Sequence, residues 1–188
     1  YSSASGTGQA NTTWVNPVNL TGTNNLSTAN GASLNLLGNS TGTYASAIAF
    51  QGGSTLNTNG AVVLTANSAT SAGSHWDLIT FGNITMNAAA NSTLQVNVNQ
   101  QANDWGLVQF GTNATLSTIG NITFNVSSAG VGVGGVNATG SGVGPRFNTT
   151  DGTLTLNLAG TPSSAGFYIN GPTVLNATAT GAIIVNGT

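Results

Sequence analysis

The sequence predicts an all-β fold of short strands, with a β-solenoid (a parallel β-helix) as the leading architecture. Three observations carry this. Apolar and polar residues alternate over short stretches: Ile48 and Phe50, Val62 and Leu64, Ile122 and Phe124, then Leu154, Leu156 and Leu158. A period of two places one face of each stretch in a core. No segment sustains helical spacing, and the strong helix formers Glu and Lys are absent. Finally, the chain resembles itself at intervals of about 30 residues, a period at which one supersecondary unit stacks on the next.

Taken in order, the elements begin with Trp14, Asn16, Val18 and Leu20, an alternating and mostly apolar face within residues 1–20. This stretch is expected to serve as an N-terminal arm or donor strand. Residues 26–36 form a loose first copy of the unit, sharing Asn30-Gly31-Ala32 with Asn59-Gly60-Ala61. The next copies are clearer. Ile48 and Phe50 recur one period later as Ile79 and Phe81, and Trp76 through Gly82 matches Trp105 through Gly111 after a further period. Leu56 through Leu64 matches Leu116 through Phe124 across two periods. Beyond Gly130 the match fades. The Gly-rich segment 129–145 lacks the Gly-Lys-Ser/Thr ending of a phosphate loop and reads as an irregular loop. Leu154–Leu158 and Val174–Val185 then resume the alternating style. One all-β domain over residues 1–188 is expected, with Asn and Gly at tight corners and Asn and Thr stacking as uncharged ladders. The alternative is a pilin-like β-sandwich with a donated terminal strand, in which strands and turns recur without stacking.

Charge excludes most chemistry. Asp77, Asp104, Asp151 and Arg146 are the only formally charged side chains, 2% of the chain, and there is no Cys. Ordinary domains carry about a quarter charged residues. A nucleic-acid partner would need several Lys and Arg to displace counterions from phosphates, so none is expected. No apolar run approaches the roughly 18 residues of a membrane helix. His75 and Asp77 would share a strand face, as a base and its orienter do, but no nucleophile motif accompanies them. One His and three dispersed Asp do not make a metal site, and the expectation is no catalytic residue, no metal and no cofactor. Trp14, Trp76 and Trp105 read as buried anchors. Thr-x-Thr pairs at Thr21/Thr23, Thr41/Thr43, Thr153/Thr155 and Thr178/Thr180 raise an ice-binding reading, but these pairs do not recur at the period of the repeat. A carbohydrate-binding module is the alternative if the three Trp rings are instead exposed for stacking.

Half of the Asn residues, 13 of 26, begin an Asn-x-Ser/Thr sequon: Asn11, Asn19, Asn25, Asn39, Asn83, Asn91, Asn113, Asn121, Asn125, Asn137, Asn148, Asn176 and Asn186. Chance predicts about 6 or 7. These are glycosylation candidates, although a strand with one polar face produces the same pattern. A start at Tyr1 rather than Met fits a secreted, extracellular protein after signal-peptide removal.

The stretches Ala114–Val126 and Gly152–Asn157 resemble the repeats of filamentous-haemagglutinin-type adhesins and autotransporter passengers. That resemblance implies a right-handed parallel β-helix that mediates attachment at a cell surface. The near absence of Lys and Asp departs from those repeats. The sequon-rich, charge-poor composition is similar to that of archaeal surface-filament subunits, which implies head-to-tail polymers joined by a donated strand. The functional expectation is therefore a non-enzymatic extracellular structural protein, a cell-surface adhesin or a subunit of an adhesive filament. Its expected partners are further copies of itself and the glycans or proteins of a host or neighbouring cell. Unblocked apolar strand edges point to Trp14, Val18, Leu20, Ile183 and Val185 as self-assembly residues.

Overall fold

The computed structural model describes residues 10–13, 18–20, 23–28, 31–40, 46–51, 53–68, 79–100, 107–111, 113–128, 135–139, 145–159, 167–170 and 173–187. Every one of the nineteen strands in it pairs in parallel with a strand about one repeat away, giving three sheets. The first sheet has seven strands: β1 (Ala10–Thr13), β4 (Leu34–Ser40), β7 (Ala61–Ser68), β10 (Thr93–Gln100), β13 (Ile122–Ser128), β16 (Leu154–Ala159) and β19 (Ile183–Gly187). The second has six: β2 (Val18–Leu20), β5 (Ile48–Phe50), β8 (Ile79–Phe81), β11 (Leu107–Phe110), β14 (Gly135–Thr139) and β17 (Phe167–Asn170). The third also has six: β3 (Asn25–Thr28), β6 (Ser54–Thr58), β9 (Ile84–Asn87), β12 (Thr115–Thr118), β15 (Arg146–Thr149) and β18 (Val174–Ala177).

The chain visits the second, third and first sheets in turn, so each coil adds one strand to each. This is a β-solenoid. A β-sandwich would pair neighbouring strands antiparallel. No antiparallel pair occurs among the described residues, which removes the sandwich alternative.

Register follows the repeats closely. Phe50 pairs with Phe81, and Phe81 with Phe110. Leu56 pairs with Met86 and Met86 with Leu116, which accounts for the match across two periods. Inward residues form continuous columns. Val62, Leu94, Ile122 and Leu154 make one, and Leu64, Val96, Phe124 and Leu156 another, all buried. Full burial of such side chains contributes about 1.5–3 kcal/mol each. The Phe50 and Phe81 rings stack at 5.5 Å and 4°, and the Phe81 and Phe110 rings at 4.9 Å and 5°. That column of rings ends where the residue in register is Ala138. Phe147 and Phe124 instead meet the Phe110 ring edge-on, at 4.7 and 5.7 Å.

Two expectations need correction. Segment 129–145 is not one irregular loop, because β14 lies inside it and pairs with β11 and β17. Main-chain pairing to both neighbours outweighs the weak strand preference of Gly. The stack also continues where sequence similarity faded, with β14 to β19 completing two more coils. The expected N-terminal arm is already paired within its own chain: β1 with β4 and β2 with β5, Val18 being buried. A smaller shift concerns the shared Asn-Gly-Ala motif. Leu34 pairs with Val62, slightly less than one motif spacing, so Gly60 lies against Ala32 as well as Gly31.

Candidate functional site

The polar residues between the core positions face outward, and stacking brings them into rows. On the first sheet one row runs through Thr65, Asn97, Asn125, Asn157 and Asn186. Each amide donates to the coil before it. Asn97 Nδ2 donates to Thr65 Oγ1 at 3.4 Å, Asn125 to Asn97 Oδ1 at 3.0 Å, Asn157 to Asn125 at 2.8 Å and Asn186 to Asn157 at 2.8 Å. A parallel row has Asn67 donating to Asn39 and Asn99 to Asn67, both at 2.9 Å. On the third sheet Asn87 donates to Asn57 at 2.7 Å and Asn148 to Ser117 Oγ at 3.3 Å. Ionised side chains at this spacing would repel their own copies, whereas an amide is both donor and acceptor and satisfies its neighbour. This gives a physical reason for these rows to be uncharged.

A groove of about 500 Å³ runs across the first of these rows. Its wall is Asn97, Asn125, Asn157 and Asn186, with the exposed Ala159 beside them, while the side chains of the bordering Val126 and Leu158 are buried in the core. It extends from β7 to β19, five strands, or about 19 Å along the coil axis at ~4.8 Å per strand. No described residue lining it is ionisable.

The final coil is a second feature. Ile183 and Val185 occupy the same columns as the buried Leu154 and Leu156, yet are 45% and 51% exposed, with no strand beyond theirs among the described residues. Val174 and Ile184 are also exposed. Leu20, by contrast, is partly buried against the core.

The sequons divide by position. Asn83, Asn91 and Asn113 lie exposed at corners, Asn91 with a φ of 62° that Asn tolerates better than most residues. Asn121 is exposed, its Oδ1 accepting from Thr153 N at 2.9 Å, and Asn25 and Asn176 are exposed on the third sheet. Asn39 accepts from Asn67 in an outward row, while Asn125, Asn148 and Asn186 donate within such rows. Asn11, Asn19 and Asn137 fall on β1, β2 and β14.

Sequence reasoning missed two sets of residues. The row members Asn57, Asn87, Asn97 and Asn157 lie outside sequons. Thr55, Thr85 and Thr115 form a column on the third sheet, each one period after the last. That spacing was readable, whereas of the Thr-x-Thr pairs singled out instead, Thr21, Thr41 and Thr43 lie outside the described residues. His75, Asp77, Asp104, Trp14, Trp76 and Trp105 lie outside the described residues. Arg146 and Asp151 are both exposed, and no group of three or more His, Cys, Asp or Glu could hold a metal among the described residues. No family model, curated protein or solved structure matches the chain.

Proposed function

We propose that the chain is a non-enzymatic, extracellular structural protein, an adhesive scaffold that lengthens by adding coil upon coil. The observation that carries this reading is the coil-on-coil stack itself, in which each coil offers the next a main-chain edge and the continuation of its core columns. Ile183 and Val185 continue two core columns into solvent, beside unpaired edges of β17, β18 and β19 among the described residues. Natural sheets block such edges with Lys, inward charges or Pro. The described end coil carries none of these. A second copy seated there would pair main chain to main chain and cover the same columns. The two ends of the stack differ, so the contact is heterologous and grows as a filament. Coil stacking is favoured over donation of an N-terminal strand, because β1 and β2 are already paired in their own chain. The uncharged amide rows on the flanks are the adhesive surface.

The test is sedimentation and negative-stain microscopy of the full chain beside the double variant Ile183→Lys, Val185→Lys. The expected result is concentration-dependent rods for the parent and monomers for the variant, with unchanged circular dichroism. A parent that stays monomeric at high concentration, or a variant that assembles as well as the parent, would overturn the stacking mode.

A further inference from the structure

The outward row on the first sheet has hydrogen-bonding capacity left over, and the groove lies against it. An Asn amide offers two donors and two acceptor lone pairs. Within the row, Asn125 and Asn157 each use one donor and one lone pair, leaving one of each without a partner among the described residues. Asn186, the last described residue of the row, has one donor and both lone pairs of Oδ1 without a partner among the described residues. Asn97 accepts from both Asn125 and Gln95, so it retains a donor alone. The result is a line of amide functions without partners among the described residues, repeating at the coil spacing of ~4.8 Å, beside the exposed Ala159.

From this arrangement we infer that the groove binds a linear, uncharged carbohydrate chain lying along the coil axis. This rests on the reading of the chain as an adhesive scaffold and gives its adhesive surface a ligand class. Four features favour that occupant. Paired donors and acceptors match hydroxyl groups, which are themselves both. The described lining residues are all uncharged and offer nothing to a carboxylate, sulfate or phosphate. The repeat of like rungs over five strands suits a polymer of like units. The amides are already held by their neighbours, so little rotamer freedom is lost on binding. An extended peptide would bind a β-protein best at a free strand edge. The groove lies on a sheet face, where β10, β13 and β16 are each paired on both sides.

The experiment is titration calorimetry of the full chain with neutral oligosaccharides: cello-, malto- and chito-oligomers from disaccharide to hexasaccharide. At least one series should bind with affinity that rises with length and is indifferent to added salt. Asn157→Leu removes two free functions from the centre of the groove and should weaken that binding about tenfold or more. Asn87→Leu removes one row hydrogen bond on the third sheet, against two at Asn157, lies away from the groove, and should leave binding unchanged. Circular dichroism and urea midpoints for both variants separate a folding defect from a binding defect. Failure of every neutral series to bind, equal losses in the two variants, or binding of uncharged peptides in place of glycans would each overturn the assignment. Sedimentation of the same samples reports assembly separately, so loss of glycan binding with normal rods leaves the scaffold reading standing.

Discussion

Phe81 sits where the solenoid account is most exposed to test. Its side chain is fully buried, and its ring lies between those of Phe50 and Phe110 at 5.5 and 4.9 Å, nearly parallel to both. Truncating a buried Phe to Ala generally costs about 3–5 kcal/mol. Here both ring contacts vanish together, each contributing about 0.5–1.5 kcal/mol beyond burial, which places the loss toward the upper end, about 4–5 kcal/mol. Coils in a solenoid meet only their neighbours, so relaxation cannot recruit a distant element to fill the space. With a urea dependence of about 2 kcal/mol per molar, the midpoint should fall by about 2 M. Ile184→Ala is the internal comparison, since Ile184 faces outward and is 42% exposed, and its cost should stay within about 0.5 kcal/mol. Equilibrium urea unfolding followed by circular dichroism reads both variants. A Phe81→Ala loss less than half the expected size, or one no larger than that of Ile184→Ala, would refute the stacked column.

Three further outcomes follow from the same geometry. Gly152→Ala should destabilise the fold, because the added Cβ would collide with the backbone of Gly120 and Asn121. Gly187→Ala should be nearly neutral, its Cβ meeting nothing within 4 Å, and thermal melts compare the two. The melting temperature should move by only a few degrees between acidic and neutral buffer, since four formal charges and one His leave few protons to exchange on unfolding; a shift of tens of degrees would contradict this. In a host that glycosylates sequons, peptide mapping should find the exposed corner sites Asn83, Asn91 and Asn113 occupied more fully than Asn125, which is hemmed in by Asn97 and Asn157.

Much of the fold was legible because the core repeats in kind. Ile79 and Phe81 against Val108 and Phe110, and Leu56 against Leu116, preserved both shape and spacing. Legibility failed where side-chain identity was lost. In β14 two strand neighbours and backbone hydrogen bonds hold Gly-Val-Asn-Ala-Thr in place, and no alternation advertises it. The number of residues per coil also varies, so the step from Val62 to Leu94 is longer than the step from Leu94 to Ile122. Such changes blurred comparison at a fixed offset. They also hid the groove, whose amides at 97, 125, 157 and 186 are unevenly spaced in sequence yet adjacent in register. Sequons drew attention to Asn125 and Asn186 for their modification chemistry. The property that joins them to Asn97 and Asn157, a shared row, appears only when coils stack.

The most direct test of the account is a series of spin-label distances along one outward row. The chain has no Cys, so labels can be placed freely by substitution. Leu37 pairs with Thr65, and the row continues through Asn97, Asn125, Asn157 and Asn186. With one label at Leu37 and the second at Asn97, Asn125, Asn157 or Asn186, the account predicts separations of about 10, 14, 19 and 24 Å, increasing by ~4.8 Å with each coil. Distances that rise irregularly, or that fall between any two successive positions, would contradict the stacked solenoid and the functional reading built on it.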